Sequence, residues 1–247
     1  MRIFIFKLFS GHKFGRKRIV QKALEAMIRL LNPVRVNDHK MFIDPKDDAM
    51  ALFTKGSYEP LITECFKKHI KKGDTVLDLG AYIGYHTLIM AKLVGPKGKV
   101  YAFEPSKTNF HYLKKNIAEN RYENVIACCK AVSGKSGAGR YYVGDRSSLG
   151  TIYGGGRWEE IETIRLDDCF KDKVDFIKMD IEGAEGLALE GMKETIKNSP
   201  NLKMVIEYQP EMLEKAGTDP REFLDTLKSF GFKPTQLDNE NLFFEKR

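Results

Sequence analysis

The chain has 247 residues, enough for one large domain or two small ones, and 42% hydrophobic content is typical of a globular protein with a full core. Its formal net charge of +7 suits anionic partners such as nucleic acid, a lipid surface or phosphorylated substrates, although many proteins that bind none of these are equally basic. The four cysteines form no CxxC pair and have no histidine at zinc-ligand spacing, which excludes the common zinc-finger patterns. Buried free thiols in the reducing cytoplasm are predicted.

The N-terminal extension, residues 1–54, begins with a basic segment. Seven Lys and Arg residues precede the first acidic residue, Glu25. The apolar stretch 1–9 is interrupted by Lys7 and is too short to span a membrane, so at most a peripheral contact with a membrane surface is expected. A solvated basic start and a contact with an anionic surface both remain open. Helical spacing then predicts a helix over 18–31, and a hairpin follows at 34–43.

From residue 55 to 247 the pattern predicts one catalytic domain, in which strands and helices alternate. The predicted helices cover 58–71, 84–93, 107–120, 184–196 and 219–230, and the predicted strands cover 75–79, 99–103, 125–129, 175–179, 202–208, 232–237 and 241–244. Such alternation gives a mostly parallel sheet with helices on both faces. The last two strands are joined by a tight polar turn and must therefore be antiparallel neighbours.

The segment 133–160 is rich in Gly, Arg and Tyr and has only weak periodicity. The sequence does not decide whether short strands form at 140–143 and 151–153. A connection this long inside a compact α/β domain is often a functional lid or a mobile loop. We expect it to cover an acceptor molecule, with Arg140, Arg146 or Arg157 meeting any acidic group on that acceptor.

A glycine turn follows the first strand of the domain and opens a helix. Gly80 and Gly84 allow the backbone to approach a ligand closely, and the N–H groups at the helix start can hold a carboxylate. Asp78 precedes the turn, and Glu104 ends the next strand, where a carboxylate can accept hydrogen bonds from a ribose diol. The spacing is G-x-x-x-G, which disfavours a dinucleotide. Pro105 is predicted, with Ser106, to border an adenine.

Three acidic residues follow the fourth strand of the domain. Asp180 and Glu182 share a face if the segment is extended, and clustered carboxylates can raise one another's pKa, as a general base requires. The alternative is that one of them only caps the next helix. The chain has no dedicated set of metal ligands, so no metal is predicted.

These motifs, in this order, resemble the FkbM family of S-adenosylmethionine-dependent methyltransferases over about residues 56–244. The matching pieces are Gly56–Pro60, Asp78–Gly84, Phe103–Pro105, Asn116, Ser148-Leu149, Leu166–Asp168 and Lys178–Glu185. The resemblance implies a class I methyltransferase fold, which is α/β and Rossmann-like, with a mostly parallel seven-stranded sheet and a C-terminal antiparallel strand pair.

The resemblance also implies the cofactor and the residues that bind it. S-adenosyl-L-methionine is expected to be held by Tyr58, Glu59, Asp78, Gly80, Ala81, Tyr82, Gly84, Glu104, Pro105, Ser106 and Ala131. Within this set, the first two would lie near the methionyl end, and Tyr82 departs from the family pattern, which usually has Asn. Asp180 and Glu182 would lie beside the reacting centre.

The predicted function is O-methylation of a hydroxyl on a sugar, glycan or natural-product-like small molecule, by direct displacement at the methyl group. Two alternatives remain open. The basic N-terminus favours an RNA methyltransferase, although the chain has no RNA-binding module. A catalytically inactive, cofactor-binding interaction module is disfavoured by the intact acidic cluster.

Overall fold

The computed structural model describes residues 26, 29–44, 58–144 and 150–246. The predicted basic segment, the apolar start, most of the helix over 18–31, and Arg146 lie outside the described residues. Two compact units divide at residue 59, namely Met1–Glu59 and Pro60–Arg247. The functional boundary placed between residues 54 and 55 remains a prediction.

The first unit contains a small hairpin where the sequence predicts one. Strands β1 (Val34–Val36) and β2 (His39–Met41) pair antiparallel. The turn between them contains Asn37 with φ 51°, a left-handed conformation that Asn tolerates well. The Asn32 side chain donates to the Ile43 carbonyl at 2.8 Å and accepts from its N–H at 3.1 Å.

Among the described residues, the second unit contains ten strands and eight helices. Its strands are β3 (Thr75–Leu79), β4 (Lys99–Phe103), β5 (Val125–Cys128), β6 (Ala131–Val132), β7 (Gly137–Tyr142), β8 (Trp158–Ile164), β9 (Phe176–Met179), β10 (Lys203–Glu207), β11 (Phe232–Gln236) and β12 (Asn241–Lys246). Its helices are α1 (Pro60–His69), α2 (Tyr85–Val94), α3 (Lys107–Glu119), α4 (Leu166–Cys169), α5 (Glu185–Glu190), α6 (Lys193–Lys197), α7 (Pro210–Lys215) and α8 (Pro220–Ser229).

The central sheet has seven strands in the order β11-β12-β10-β9-β3-β4-β5. Strand β12 pairs antiparallel with both β10 and β11, while the pairs among β10, β9, β3, β4 and β5 are parallel. The chain runs outward from β3 in one direction and from β9 in the other, so the strand order reverses between these neighbours. Ligands bind at such a switch point, beyond the carboxyl ends of the strands. The predicted fold class is confirmed.

Alternate residues of β9 face two different layers. Ile177 and Met179 pack into an apolar cluster together with side chains of α5 to α8 such as Leu189 and Leu227. Phe176 faces the other layer, where its ring meets Phe66 of α1 edge-on at 5.5 Å. Two-sided burial explains why these strands are apolar almost throughout. A polar residue on such a strand therefore requires a specific partner.

The predicted helix over 184–196 is wrong, because the structure contains two helices there. Helix α5 ends at Glu190, with Gly191 as its C-cap, and α6 begins after Met192. A side chain at Gly191 would overlap the carbonyl of Ser133, which enters from the end of β6. The close approach of a neighbouring segment thus interrupts a helix that periodicity alone makes continuous.

A second, three-stranded sheet with the order β6-β8-β7 lies within the region 131–164. The sequence suggested only short strands within this region, and β8 was not predicted. Tyr141 on β7 is buried with Ala131 and Ile161. On the other face, the Arg140 guanidinium lies 4.6 Å from the ring centroid of Trp158, which is partly exposed.

The state of the cysteines and the lengths of the helices bear on the predicted thiols and on membrane spanning. All four cysteines are described and are free thiols, but only Cys65 is buried, and Cys169 is exposed. Within the described ranges, each helix is too short or too polar to cross a lipid bilayer. Cytoplasmic location and a peripheral membrane contact remain predictions.

Candidate active site

The glycine turn after β3 lies against the ends of both neighbouring strands. The N–H groups of Gly80 and Ala81 both donate to the Phe103 carbonyl at 3.0 Å, at the end of β4. On the β9 side, a side chain at Gly80 would overlap the backbone carbonyl of Asp180, and Gly80 has φ 83°. Close approach and left-handed conformation both require glycine here. The turn therefore joins the carboxyl ends of β3, β4 and β9.

Glu104 is buried at the end of β4 and is held by three donors. Its Oε2 accepts from the Tyr82 N–H at 2.9 Å, and its Oε1 accepts from Ser106 N–H at 3.0 Å and from Asn109 Nδ2 at 3.3 Å. Burial raises the pKa of Glu104 to about 7, although these hydrogen bonds act in the opposite direction. The carboxylate connects the glycine turn to the start of α3.

Tyr82 has φ 50°, a left-handed conformation that costs a tyrosine more than the asparagine usual in the family pattern. The hydrogen bond from its N–H to Glu104 offsets part of this cost. A second contact holds the same turn, because Asn116 of α3 donates from Nδ2 to the Ile83 carbonyl at 2.7 Å. Asn116, which the sequence matched only to a family motif, thus shapes the turn.

Lys178 is a buried cation between two carboxylates. It pairs in register with Asp78 on the neighbouring strand, so both side chains extend from the same face of the sheet. Its ammonium lies 3.7 Å from Asp78 Oδ1 and 3.1 Å from Asp180 Oδ2, and donates to the Gly80 carbonyl at 2.8 Å. Lys178 therefore links the glycine turn to the acidic cluster. Sequence reasoning gave it no role.

Asp180, Glu182 and Glu207 bring carboxylate oxygens within 4.8 Å of one another. Asp180 directly follows β9, Glu207 ends β10, and Glu182 lies in the loop that follows Asp180. Such a trio could hold a metal ion, and the expectation of a metal-free site remains a prediction. The predicted pair Asp180 and Glu182 is thus brought together, and Glu207 completes the cluster.

The three carboxyl groups have different pKa values. Burial raises the pKa of Glu207 to about 10, with Asp180 and Glu182 adding to the shift. Burial also raises the pKa of Glu182 to about 7, assisted by the charges of Asp180 and Glu185. Burial alone would raise the pKa of Asp180, but the Lys178 ammonium and a hydrogen bond from Glu207 outweigh it, so this pKa lies below its ordinary value.

The loop that carries Glu182 is not extended, so the alternation of an extended segment does not explain how Asp180 and Glu182 come together. Glu182 has φ 57°, which costs a non-glycine residue about 1–3 kcal/mol. Glu185, fully buried, accepts from the N–H groups of Ile181 at 3.0 Å and Gly183 at 3.3 Å. Each such hydrogen bond contributes about 0.5–1.5 kcal/mol or somewhat more when the acceptor is charged. Several hydrogen bonds, each comparable in free energy to the cost of the left-handed conformation, therefore hold the loop in its strained shape.

The helix-capping alternative for the acidic cluster is wrong. Helix α5 starts after Ala184, and no side chain caps it. The acidic residue with the structural role is Glu185, which bonds back to the loop. Asp180 and Glu182 are thereby available for chemistry.

The matched motif Leu166–Asp168 lies elsewhere and has a structural role. Asp167 is buried and accepts from the N–H groups of Glu194 and Thr195 at 3.1 and 2.9 Å, and from the Thr195 hydroxyl at 3.0 Å. These groups are at the start of α6. Asp167 therefore stabilises the start of α6, so this residue of the motif has a structural role.

The remaining predicted residues are only partly placed at this edge of the sheet. Ala81 is buried beside Ala102 and Leu113, and Ser106 caps α3 by accepting from Asn109 N–H at 3.4 Å. Ala131 begins β6. Cofactor contacts of Ala131 and Pro105, and those of Tyr58 and Glu59 in the first unit, remain predictions.

The chain is similar in sequence to known methyltransferases. Residues 78–234, more than half of the chain, match the family model of the methyltransferase FkbM domain. The chain is 26% identical over 190 residues to the 31-O-demethyl-FK506 methyltransferase FkbM of Streptomyces tacrolimicus, with 60% of this chain and 72% of that protein covered.

Other similarities are shorter or concern the fold. A protein-L-isoaspartate O-methyltransferase of Methanothrix thermoacetophila is 38% identical over 61 residues, covering 25% of this chain and 29% of that protein. The chain spans less than half the length of the first curated relatives it matches. An S-adenosylmethionine-dependent O-methyltransferase structure from Thermotoga maritima shares the fold, with a TM-score of 0.50 and 13% identity, covering 81% of this chain and 70% of that one. By its domain match, the chain belongs to the FkbM family of S-adenosylmethionine-dependent methyltransferases.

Proposed function

We propose that the chain transfers a methyl group from S-adenosylmethionine to a hydroxyl of a sugar, glycan or natural-product-like small molecule. The cofactor, when bound, supplies an activated methyl group on a sulfonium centre. The chain's own residues must align the acceptor hydroxyl with that methyl group and remove the hydroxyl proton. Alignment of this kind can lower the barrier by about 7–11 kcal/mol.

The residues at the switch point fit this cofactor. Glu104 is an acidic acceptor for a ribose diol, held at the end of β4. No side chain caps the start of α2 at Gly84, so its N–H groups suit a carboxylate. Asp78 Oδ1 is buried and, among the described residues, accepts no hydrogen bond, so it can receive one from an ammonium.

The observation that carries the proposal is the position of the acidic cluster beside the glycine turn, linked to it through Lys178. Of the three carboxylates, Glu182 is best suited to be the general base, because its pKa of about 7 is close to the working pH. Asp180 is a weaker base, since Lys178 holds its pKa low. Glu207 stays protonated at neutral pH and donates to Asp180.

Two measurements test the proposal. Calorimetry with S-adenosylhomocysteine tests the binding site, and no measurable binding would overturn it. Transfer of labelled methyl from S-adenosylmethionine is then followed on a panel of monosaccharides, oligosaccharides, macrolides and total RNA. Label on a hydroxyl of a small molecule or glycan supports the proposal, label on RNA supports the RNA alternative, and tight binding with no transfer supports an inactive module.

Replacing Glu104 by glutamine is expected to weaken S-adenosylhomocysteine binding about 10- to 100-fold. The reason is that hydrogen bonds from ribose hydroxyls to a charged acceptor contribute about 1.5–3 kcal/mol. Calorimetry on Glu104→Gln measures the dissociation constant. Glu123→Gln, at an exposed glutamate, is the matched control and should bind as the original chain does. Equal affinity for both variants would contradict the role of Glu104.

The affinity for S-adenosylhomocysteine is expected to fall as the pH decreases below about 7. The ribose hydroxyls bind the ionised carboxylate of Glu104, whose pKa in the unbound chain is raised to about 7 by burial. Binding therefore favours proton loss from Glu104, and affinity falls up to about tenfold per pH unit once this group is protonated. Calorimetry between pH 5.5 and about 8.5 measures the slope. The Glu104→Gln variant should lose it, and a slope that persists there would assign the effect to another group.

A further inference from the structure

Tyr153 contacts the loop that carries Glu182. Its hydroxyl donates to the Glu182 backbone carbonyl at 2.6 Å and lies 3.9 Å from the sulfur of Met212. The contact with Gly183 is tight, because a side chain at that glycine would overlap the Tyr153 hydroxyl. Gly183 itself has φ 94°. Tyr153 thus packs against Gly183, where the close approach and the left-handed conformation both require glycine.

The segment around Tyr153 is attached to the small sheet. Thr151 pairs with Tyr142 at the end of β7, with N–H to carbonyl distances of 2.7 and 3.1 Å in the two directions. The Thr151 hydroxyl also donates to the Tyr153 carbonyl. Gly154 packs against the Tyr142 side chain. The Tyr153 ring is therefore presented from a sheet rather than from an unsupported loop.

The Glu182 backbone needs such a contact, because its left-handed conformation is unfavourable for a non-glycine residue. Glu185 restrains the N–H groups of Ile181 and Gly183, on either side of Glu182. Tyr153 bonds the carbonyl of Glu182 itself. The strain is of the same order as one hydrogen bond, so we expect loss of this bond to shift the loop toward a relaxed conformation.

We propose that Tyr153 is a positioning residue that holds the Glu182 carboxylate in its reactive orientation and couples it to the small sheet. The proposal rests on the proposed function, in which Glu182 is the general base. Tyr153 acts on the Glu182 main chain, so it moves no proton itself. Burial raises the pKa of its hydroxyl to about 12, with Glu185, Glu182 and Glu207 adding to the shift, which keeps it a donor at working pH.

The pKa of Glu182 depends on the charged groups around it. The charges of Asp180, Glu185 and Glu240 raise this pKa, and the charge of Lys178 lowers it. The largest contribution is burial, which depends on the conformation of the loop. A loop that relaxes toward solvent will therefore lower the pKa of Glu182 from about 7 toward its ordinary value.

Tyr153→Phe tests the proposal, with Tyr208→Phe as the matched control. The Tyr208 hydroxyl also donates to a backbone carbonyl, that of Pro220 at 3.3 Å. Carboxyl-labelled glutamate followed by NMR gives the titration midpoint of Glu182, identified from the resonance that Glu182→Gln removes. We expect Tyr153→Phe to lower the midpoint by about one pH unit or more, while Tyr208→Phe leaves it unchanged. Affinity for S-adenosylhomocysteine should stay within about twofold in both variants, because neither hydroxyl bonds a cofactor-binding residue.

Turnover gives the second readout, using the acceptor identified in the transfer screen. Tyr153→Phe should lower kcat between about tenfold and a hundredfold with little change in KM. An unchanged midpoint and an unchanged kcat in Tyr153→Phe would overturn the proposal. If the original chain methylates no hydroxyl, the proposed function fails, and the NMR midpoint still decides whether Tyr153 holds the loop.

Discussion

Lys178→Met is expected to lower the free energy of unfolding by about 3–5 kcal/mol, because removing one partner of a buried ion pair leaves the other charge unpaired. Here Asp78 and Asp180 both lose their cation, and Gly80 loses the donor to its carbonyl. Methionine keeps most of the side-chain volume, so the loss measures charge rather than a cavity. Denaturant unfolding of the full chain measures the effect.

The pH dependence of this loss has a predicted sign. In Lys178→Met the buried Asp78 and the partly buried Asp180 have no cation beside them, so their pKa values rise in the folded state. A raised carboxyl pKa costs stability as the pH increases above the unfolded-state value, so the loss should be larger at pH 8 than at about pH 5.

Lys246→Met is the matched control for Lys178→Met. The Lys246 ammonium donates to the carbonyls of Ile196 at 2.6 Å and Ser199 at 2.8 Å, and it lies 5.3 Å from the centroid of the Phe232 ring. Its loss should cost about 1–3 kcal/mol, since no carboxylate is left unpaired. Equal losses in the two variants, or no pH dependence for Lys178→Met, would contradict the assigned ion-pair role.

Glu182→Gln is expected to lower kcat between about 100-fold and 10,000-fold, the range that a positioned general base contributes. The substitution keeps the shape of the side chain and removes the base. In the original chain kcat should increase with pH up to about 7 and then level off, since burial raises the pKa of Glu182 to that value and the ionised form accepts the proton. In the variant this increase should disappear. Initial rates at saturating S-adenosylmethionine measure both effects.

Two further variants complete that experiment. Glu160→Gln changes an exposed glutamate of β8 and should leave kcat unchanged. Asp180→Asn removes the partner of Lys178 and should also slow turnover, but the increase of kcat with pH should remain because Glu182 is intact. Full activity in both Glu182→Gln and Asp180→Asn would remove both carboxylates from the mechanism.

The placement of the residues proposed to bind the cofactor could be predicted because its signals are local in sequence. A strand, a glycine turn and a helix follow each other directly around Gly80 and Gly84, and Glu104 ends the next strand. Parallel strands bring their carboxyl ends to one edge, so the topology alone brings Asp180 to the same edge. The alternating elements similarly predicted the sheet and its antiparallel ending.

The acceptor side could not be predicted, because its contacts join distant parts of the chain. The bond from Tyr153 to Glu182 spans 29 positions, and no local sequence pattern links the two residues. Left-handed φ at Glu182 also leaves no signal in sequence, since glutamate rarely adopts it. The small sheet was missed for a different reason: the glycines of β7 and the many glutamates of β8 are poor strand formers.

Trp158 is the single tryptophan of the chain, and it lies on β8 under the Arg140 guanidinium. Excitation at wavelengths that tyrosine does not absorb will therefore excite only Trp158. Its fluorescence emission reports on the small sheet, to which the segment carrying Tyr153 is attached. A cation stacked on the indole face makes that emission sensitive to small displacements of Arg140. The protein thus contains an intrinsic fluorophore with which candidate acceptors can be screened by titration, before any methylated product has been isolated.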